Sequence, residues 1–111
     1  MPISFSGEAT FIAEQKDSAN MYHRRLLFSY SRRSGEGTER CLLTTLITTK
    51  SYWKYRSFLK KGVTVRLHGE ERNVIVKGTI RSIHFIIFIF VWNDELKKYT
   101  LIPEDLEQKR A

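Results

Sequence analysis

Phe58-Leu59-Lys60-Lys61-Gly62-Val63-Thr64-Val65-Arg66-Leu67-His68-Gly69 is the stretch on which the fold turns. Before it, Tyr52, Trp53, Tyr55, Phe58 and Leu59 recur at spacings of three and four, the apolar face of a helix. That helix is expected from Thr49 or Lys50 to Lys61. Thr49 or Ser51 can cap its start, Lys60 and Lys61 suit the negative end of its dipole, and Gly62 terminates it. From Val63 to His68 the period drops to two, because Val63, Val65 and Leu67 alternate with Thr64, Arg66 and His68, the pattern of a half-buried strand.

Three strands are expected upstream. Ile3–Phe5 and Ala9–Ala13 read as one strand interrupted by Gly7, the residue that marks a bulge or a barrel corner. Lys16–Asn20 is polar and turn-like. Tyr22–Arg32 puts Leu26, Phe28 and Tyr30 on one face and Leu27, Ser29 and Ser31 on the other. Arg33–Thr38 is a Gly-containing hairpin connection, and the β-branched run in Arg40–Thr48 is a third strand. Downstream, Glu70–Asn73 reads as a turn. The strand after it carries Val74, Val76 and Ile80 on one face and Lys77, Thr79 and Arg81 on the other. The apolar strand Phe85–Trp92 comes next, then a turn at Asn93–Glu95 and a short strand Lys98–Ile102 that ends at Pro103. The remaining residues to Arg110 form a helical turn or a mobile tail. With no repeats and no linker, residues 1–111 are read as a single domain.

Three strands, a helix and further strands is the order of an OB barrel. Residues 58–69 also resemble the passage with which bacterial single-stranded DNA-binding proteins close their helix and open the fourth strand. The likeness in order spans roughly residues 3–82, and the motif itself covers 58–69. The chain departs from that family in two places. It lacks the Trp-His pattern between third strand and helix, and its acidic Glu104-Asp105-Leu106-Glu107 is followed by Lys109 and Arg110 rather than an aromatic tip. The resemblance implies a mainly β, OB-like barrel with one helix between strands 3 and 4 and an added C-terminal hairpin. It also implies nucleic acid as partner, single-stranded DNA first and RNA second, bound with little sequence preference.

Charge placement points the same way. Between Arg24 and Arg81, 14 Lys/Arg stand against 4 Asp/Glu, whereas the two ends together hold 5 against 8. A basic middle within a net charge of +7 suits a polyanion. The longest apolar run, Phe85–Trp92, is far short of the ~20 residues of a spanning helix. The N-terminus has no signal-peptide pattern, and Cys41 as the only cysteine fits a reducing, cytoplasmic setting.

Single-strand binding needs cations along the phosphates and flat faces for the bases. Arg24, Arg25, Arg32, Arg33 and Arg40 surround Phe28 and Tyr30 on the second strand and its hairpin, whose Gly-rich tip could wrap a strand. The competing reading sends Phe28 and Tyr30 into the core with Leu26. On the helix, Tyr55, Phe58 and Leu59 read as core, while Trp53, beside Lys54, lies off that stripe. Lys60, Lys61, Arg66, Lys77 and Arg81, with Arg72 at the rim, form an expected basic sheet face that would add salt-dependent affinity without reading sequence. The apolar Phe85–Trp92 strand needs cover on both sides, which suggests a homo-oligomer.

No catalytic set emerges. His23, His68 and His84 are not spaced as metal ligands, Gly35 and Gly37 do not open a phosphate loop, and no triad surrounds Ser34. Neither a metal nor a cofactor is expected. Structured RNA or duplex DNA, and a protein-interaction role as adaptor or inhibitor with an acidic partner, are the alternatives to single strands.

Overall fold

The computed structural model describes residues 3–15, 22–103 and 105. Its elements are β1 (Ile3–Gln15), β2 (His23–Ser34), β3 (Gly37–Thr48), α1 (Thr49–Tyr55), β4 (Thr64–Val76), β5 (Thr79–Asn93) and β6 (Lys98–Leu101). The hydrogen-bonded order is β3-β2-β1-β4-β5-β6, and β3 returns to β5 as a parallel pair, Thr45 opposite His84 and Leu46 opposite Phe85. Five strands thus close into a barrel with one helix between β3 and β4, and β6 is bonded to β5 outside it. This is the OB-type barrel expected from the element order.

β1 serves both halves of the barrel. Ile3–Thr10 pair with β4 and Thr10–Gln15 with β2, so Thr10 is opposite both Thr64 and Ser29. The strand changes partners at Thr10, and a bulge between Phe11 and Ala13 follows within its pairing to β2. Gly7, where sequence reading put the interruption, sits in unbroken register opposite Leu67.

The core follows from period two in β1–β4, and in β5 a bulge at Ile87 lets Ile86 and Ile89, three apart, both face inward. Ala9 and Phe11, Leu26 and Phe28, Thr45 and Ile47, Val65 and Leu67, and Ile86 and Ile89 all point inward and are buried. Each large apolar side chain among them contributes about 1.5–3 kcal/mol through removal from water. The Thr45 hydroxyl donates to the Leu26 carbonyl at 3.1 Å, which satisfies the one polar group in this layer of β3. Tyr55 at the end of α1 and Leu59 in the turn after it join this core.

Three further expectations change. The helix is shorter and starts differently: Thr48, not Thr49 or Ser51, caps it by accepting from the Ser51 amide at 3.2 Å. After Tyr55 the chain tightens into turns, Phe58 N–H donating to Tyr55 O and Leu59 N–H to Arg56 O. Gly62, at φ 92°, then ties to β1 through its N–H donating to Phe11 O, so Lys60 and Lys61 lie in the exit turn, and Phe58 is exposed. The β2–β3 loop is also only Gly35-Glu36, since Ser34 pairs with Gly37. Such a tip is too tight to wrap a strand.

Finally, Glu70–Asn73 is no turn. β4 runs on to Val76 and reverses at Lys77-Gly78, both at positive φ (50° and 78°), with Val76 opposite Thr79. That is the geometry of a two-residue hairpin that matches strand twist. The expected strand Val74–Arg81 is therefore two strands, and Lys77 is a hairpin tip. The single basic sheet face drawn through Lys60, Lys61, Arg66, Lys77 and Arg81 does not form. The turn-like Lys16–Asn20 and, Asp105 apart, the tail beyond Pro103 lie outside the described residues.

Candidate nucleic-acid interface

β1 leaves β4 after Glu71, and β3 meets β5 only from His84 onward. Between these limits β4 and β5 have only each other, so residues 72–83 form a two-stranded arm standing off the barrel. Polar contacts brace its root: Ser82 on β5 donates across to Glu71 on β4 at 2.6 Å, and along β4 Arg72 donates through Nε and Nη2 to Glu70 at 3.0 and 2.6 Å. The Arg72 guanidinium also lies 5.2 Å from the Phe85 ring, a cation–π contact at the arm's root.

The arm and the outer face of β3 bound a groove of about 370 Å³ lined by Arg25, Thr44, Thr45, Leu46, Val76, Arg81, Ser82 and Ile83. Arg25 is opposite Leu46 across β2–β3 and so shares its outward face. Among the described residues no carboxylate pairs with Arg25 or Arg81. Two guanidiniums with no carboxylate partner among the described residues, set in a concave site, attract an anion more strongly than solvated charges on a convex face.

The other expected residues are dispersed over the scaffold, the β2–β3 hairpin, the helix, the outer face of β4 and the arm tip. Arg24 shares the inward parity of Leu26 and Phe28. It is half-buried, donates to Glu14 at 3.0 Å and lies 5.9 Å from the Tyr52 ring. Tyr52 donates to the same carboxylate at 3.4 Å, and burial first, then the Glu14 charge, pushes its phenol above the usual range. Lys54 is equally committed: its ammonium is 2.6 Å from the fully buried Asp105 carboxylate, which also accepts from the Tyr55 hydroxyl. These two cations brace the helix rather than face solvent.

On the β2–β3 hairpin, Arg32 pairs with Glu39 at 2.9 Å, while Arg33 and Arg40 are exposed. Tyr30 is half-buried against the core, and Phe28 is wholly inside. Trp53 is 52% exposed, with the Arg56 guanidinium 4.6 Å from its ring. Arg66 lies on the outer face of β4, opposite Glu8 and Phe90, and Lys77 at the arm tip. Tyr99 lies nearby; burial first, then the Glu8 charge, raise its pKa, and Arg66 opposes them.

The structure therefore brings Arg25 and Arg81 together, with Arg72 at the root of the same arm and Lys77 at its tip. Arg24 and Lys54 are drawn into the scaffold. Sequence reading missed Thr44 and Ser82 as groove residues, although Thr44 has the outward parity of Leu42 and Leu46. Among the described residues no three His, Cys, Asp or Glu side chains cluster as metal ligands, and no helix is long and apolar enough to cross a membrane.

No family model matches the chain, and neither does any curated protein. Solved structures do. A small single-stranded DNA-binding protein from Mycoplasma pneumoniae is 14% identical, over 83% of this chain and 93% of that one, with a TM-score of 0.62. The mitochondrial single-stranded DNA-binding protein Rim1 from S. cerevisiae is 13% identical over 82% of this chain and 96% of that one, with a TM-score of 0.55. At such identities the likeness is one of fold.

Proposed function

We propose that this chain binds single-stranded nucleic acid, DNA before RNA, with little sequence preference, and acts as a binding protein rather than an enzyme. The observation that carries the reading is the groove between β3 and the arm, with Arg25 and Arg81 free of carboxylates in its lining. The barrel shared with two single-stranded DNA-binding proteins supports it. Phosphate contacts of this kind hold a backbone without reading bases.

Fluorescence anisotropy of a labelled oligothymidylate at two salt concentrations tests the reading. Binding should weaken steeply with salt. Replacing Arg25 and Arg81 together by Gln should lower the slope of log K against log salt by about 1.4, at about 0.7 per phosphate contact on single strands. A variant that binds with the wild-type slope would move the interface elsewhere. Competition with poly(rU) and duplex ranks the partners.

Self-association belongs to the same proposal. Ile75 and Ile80 are directly paired across the arm and are 77% and 70% exposed, an apolar surface that another copy could cover. Sedimentation velocity should show an oligomer that Ile75→Lys with Ile80→Lys dissociates. A wild-type monomer at micromolar concentration would remove this part and favour the arm as a docking site for a different protein.

A further inference from the structure

Position 7 is an inward-facing place on β1 that carries no side chain. Phe5, Ala9 and Phe11 share its parity and pack into the core, and its cross-strand partner Leu67 is buried. A Cβ built on Gly7 meets nothing within 4 Å, and its φ lies outside the left-handed region. Neither crowding nor backbone conformation calls for glycine here. What its missing side chain leaves is a cavity of about 190 Å³ at one mouth of the barrel, lined by Phe5, Tyr30, Leu43, Leu67 and His84 beside the Ser6–Ala9 backbone.

Drug-sized ligands take roughly 300–1,000 Å³, so this volume suits a single planar ring system. Its walls suit one as well. Phe5 and His84 meet edge to face with centroids 5.2 Å apart, and Tyr30 adds a third ring with a hydroxyl. The cavity adjoins a second hollow of about 430 Å³ that shares Gly7, Glu8, Ala9 and Tyr30 with it. This second hollow is polar, lined also by Thr10, Ser29, Ser31, Thr64 and Arg40. The two meet because β2 beyond Ser29 pairs with β3 alone, while β1 before Thr10 pairs with β4 alone, which opens a seam in the wall. Glu8, the one carboxylate at this seam, lies opposite Arg66 in register.

An apolar, ring-lined cavity beside a hydroxyl-rich ledge with one guanidinium is complementary to a nucleotide. We infer that the barrel mouth takes one nucleobase of the bound strand, with its phosphate on the Arg40 ledge. This rests on the proposed single-strand binding and adds to it a base-accepting subsite separate from the arm groove.

The test compares the full chain with Gly7→Val, which fills the cavity from a position with free space. Anisotropy is read at low salt with a labelled thymidine 12-mer and with the same backbone carrying abasic residues. The wild type should prefer the thymidine strand by about tenfold, the scale of stacking one base. Gly7→Val should melt no lower than wild type, keep the wild-type salt slope and lose most of that preference. Leu43→Phe fills the same space from β3 and should do likewise, which covers the case that Gly7→Val misfolds. A preference of wild-type size in both variants overturns the inference, as does a wild type that binds both strands equally with normal salt dependence. A wild type that binds neither strand refutes the proposed function itself.

Discussion

Two glycines on adjoining strands show how differently one residue type can be held in place. Gly69, opposite Phe5, sits where β5 bulges past β4; a Cβ there would run into the Phe85 carbonyl oxygen and come within 2.9 Å of the Phe5 ring. The obstacle is backbone and cannot swing aside. Gly69→Ala should therefore destabilise the protein by about 2–3 kcal/mol, seen as a lowered midpoint in urea. Gly7 has no such obstacle, which is why its substitution is the informative one at the barrel mouth. Tyr52 makes a further residue-scale statement. A phenol with its pKa raised in the fold is favoured in neutral form, so its contribution is complete below the unfolded value near 10 and is lost as pH rises through the folded one. Stability measured from pH 8 to 11 should fall, and Tyr52→Phe should flatten part of that fall.

Elements differed in how much of them could be read beforehand. The alternation of Val65 and Leu67 in β4 and of Leu26 and Phe28 in β2 was legible because period and burial agree there, whereas the helical spacing ran on to Phe58 and Leu59 past the end of α1 at Tyr55. The arm was not legible. Glu70, Glu71, Arg72 and Asn73 are turn-like by type, yet they pair in register with Phe85, His84, Ile83 and Ser82 of β5, because an uncovered ribbon leaves their polar side chains in contact with water and with one another. The true reversal, Lys77-Gly78, gave only half of the usual signal, since Asn or Asp is the residue favoured before Gly in this turn. Lys77→Asn should accordingly stabilise the arm by about 0.5–1 kcal/mol in thermal unfolding, the strain of an unbranched residue at positive φ being relieved. If Lys77 also holds a phosphate, the same variant lowers the salt slope by about 0.7. Of the candidate site, the outward arginines were legible from parity. The commitments of Arg24 and Lys54 were not: Lys54 meets Asp105, 51 residues away in the chain, and only the closed fold brings the two together.

At the scale of the whole molecule, the barrel is closed unevenly. The long antiparallel ladders β2–β3 and β4–β5 hold most of the wall, while β3 and β5 meet through two residue pairs, Thr45–His84 and Leu46–Phe85. A closure so short is where the wall should part first, because few hydrogen bonds must break together to open it. Amide hydrogens of Leu46 and Phe85 should exchange with deuterium well before those of Leu26 or Leu67. The groove that holds Arg25 and Arg81 lies directly over that join, with Thr45 and Leu46 on one side and Ile83 on the other. A strand seated there would staple the join shut, so oligonucleotide should slow exchange at Leu46 and Phe85 more than anywhere else in the sheet. The barrel would then be a clasp that its own cargo fastens.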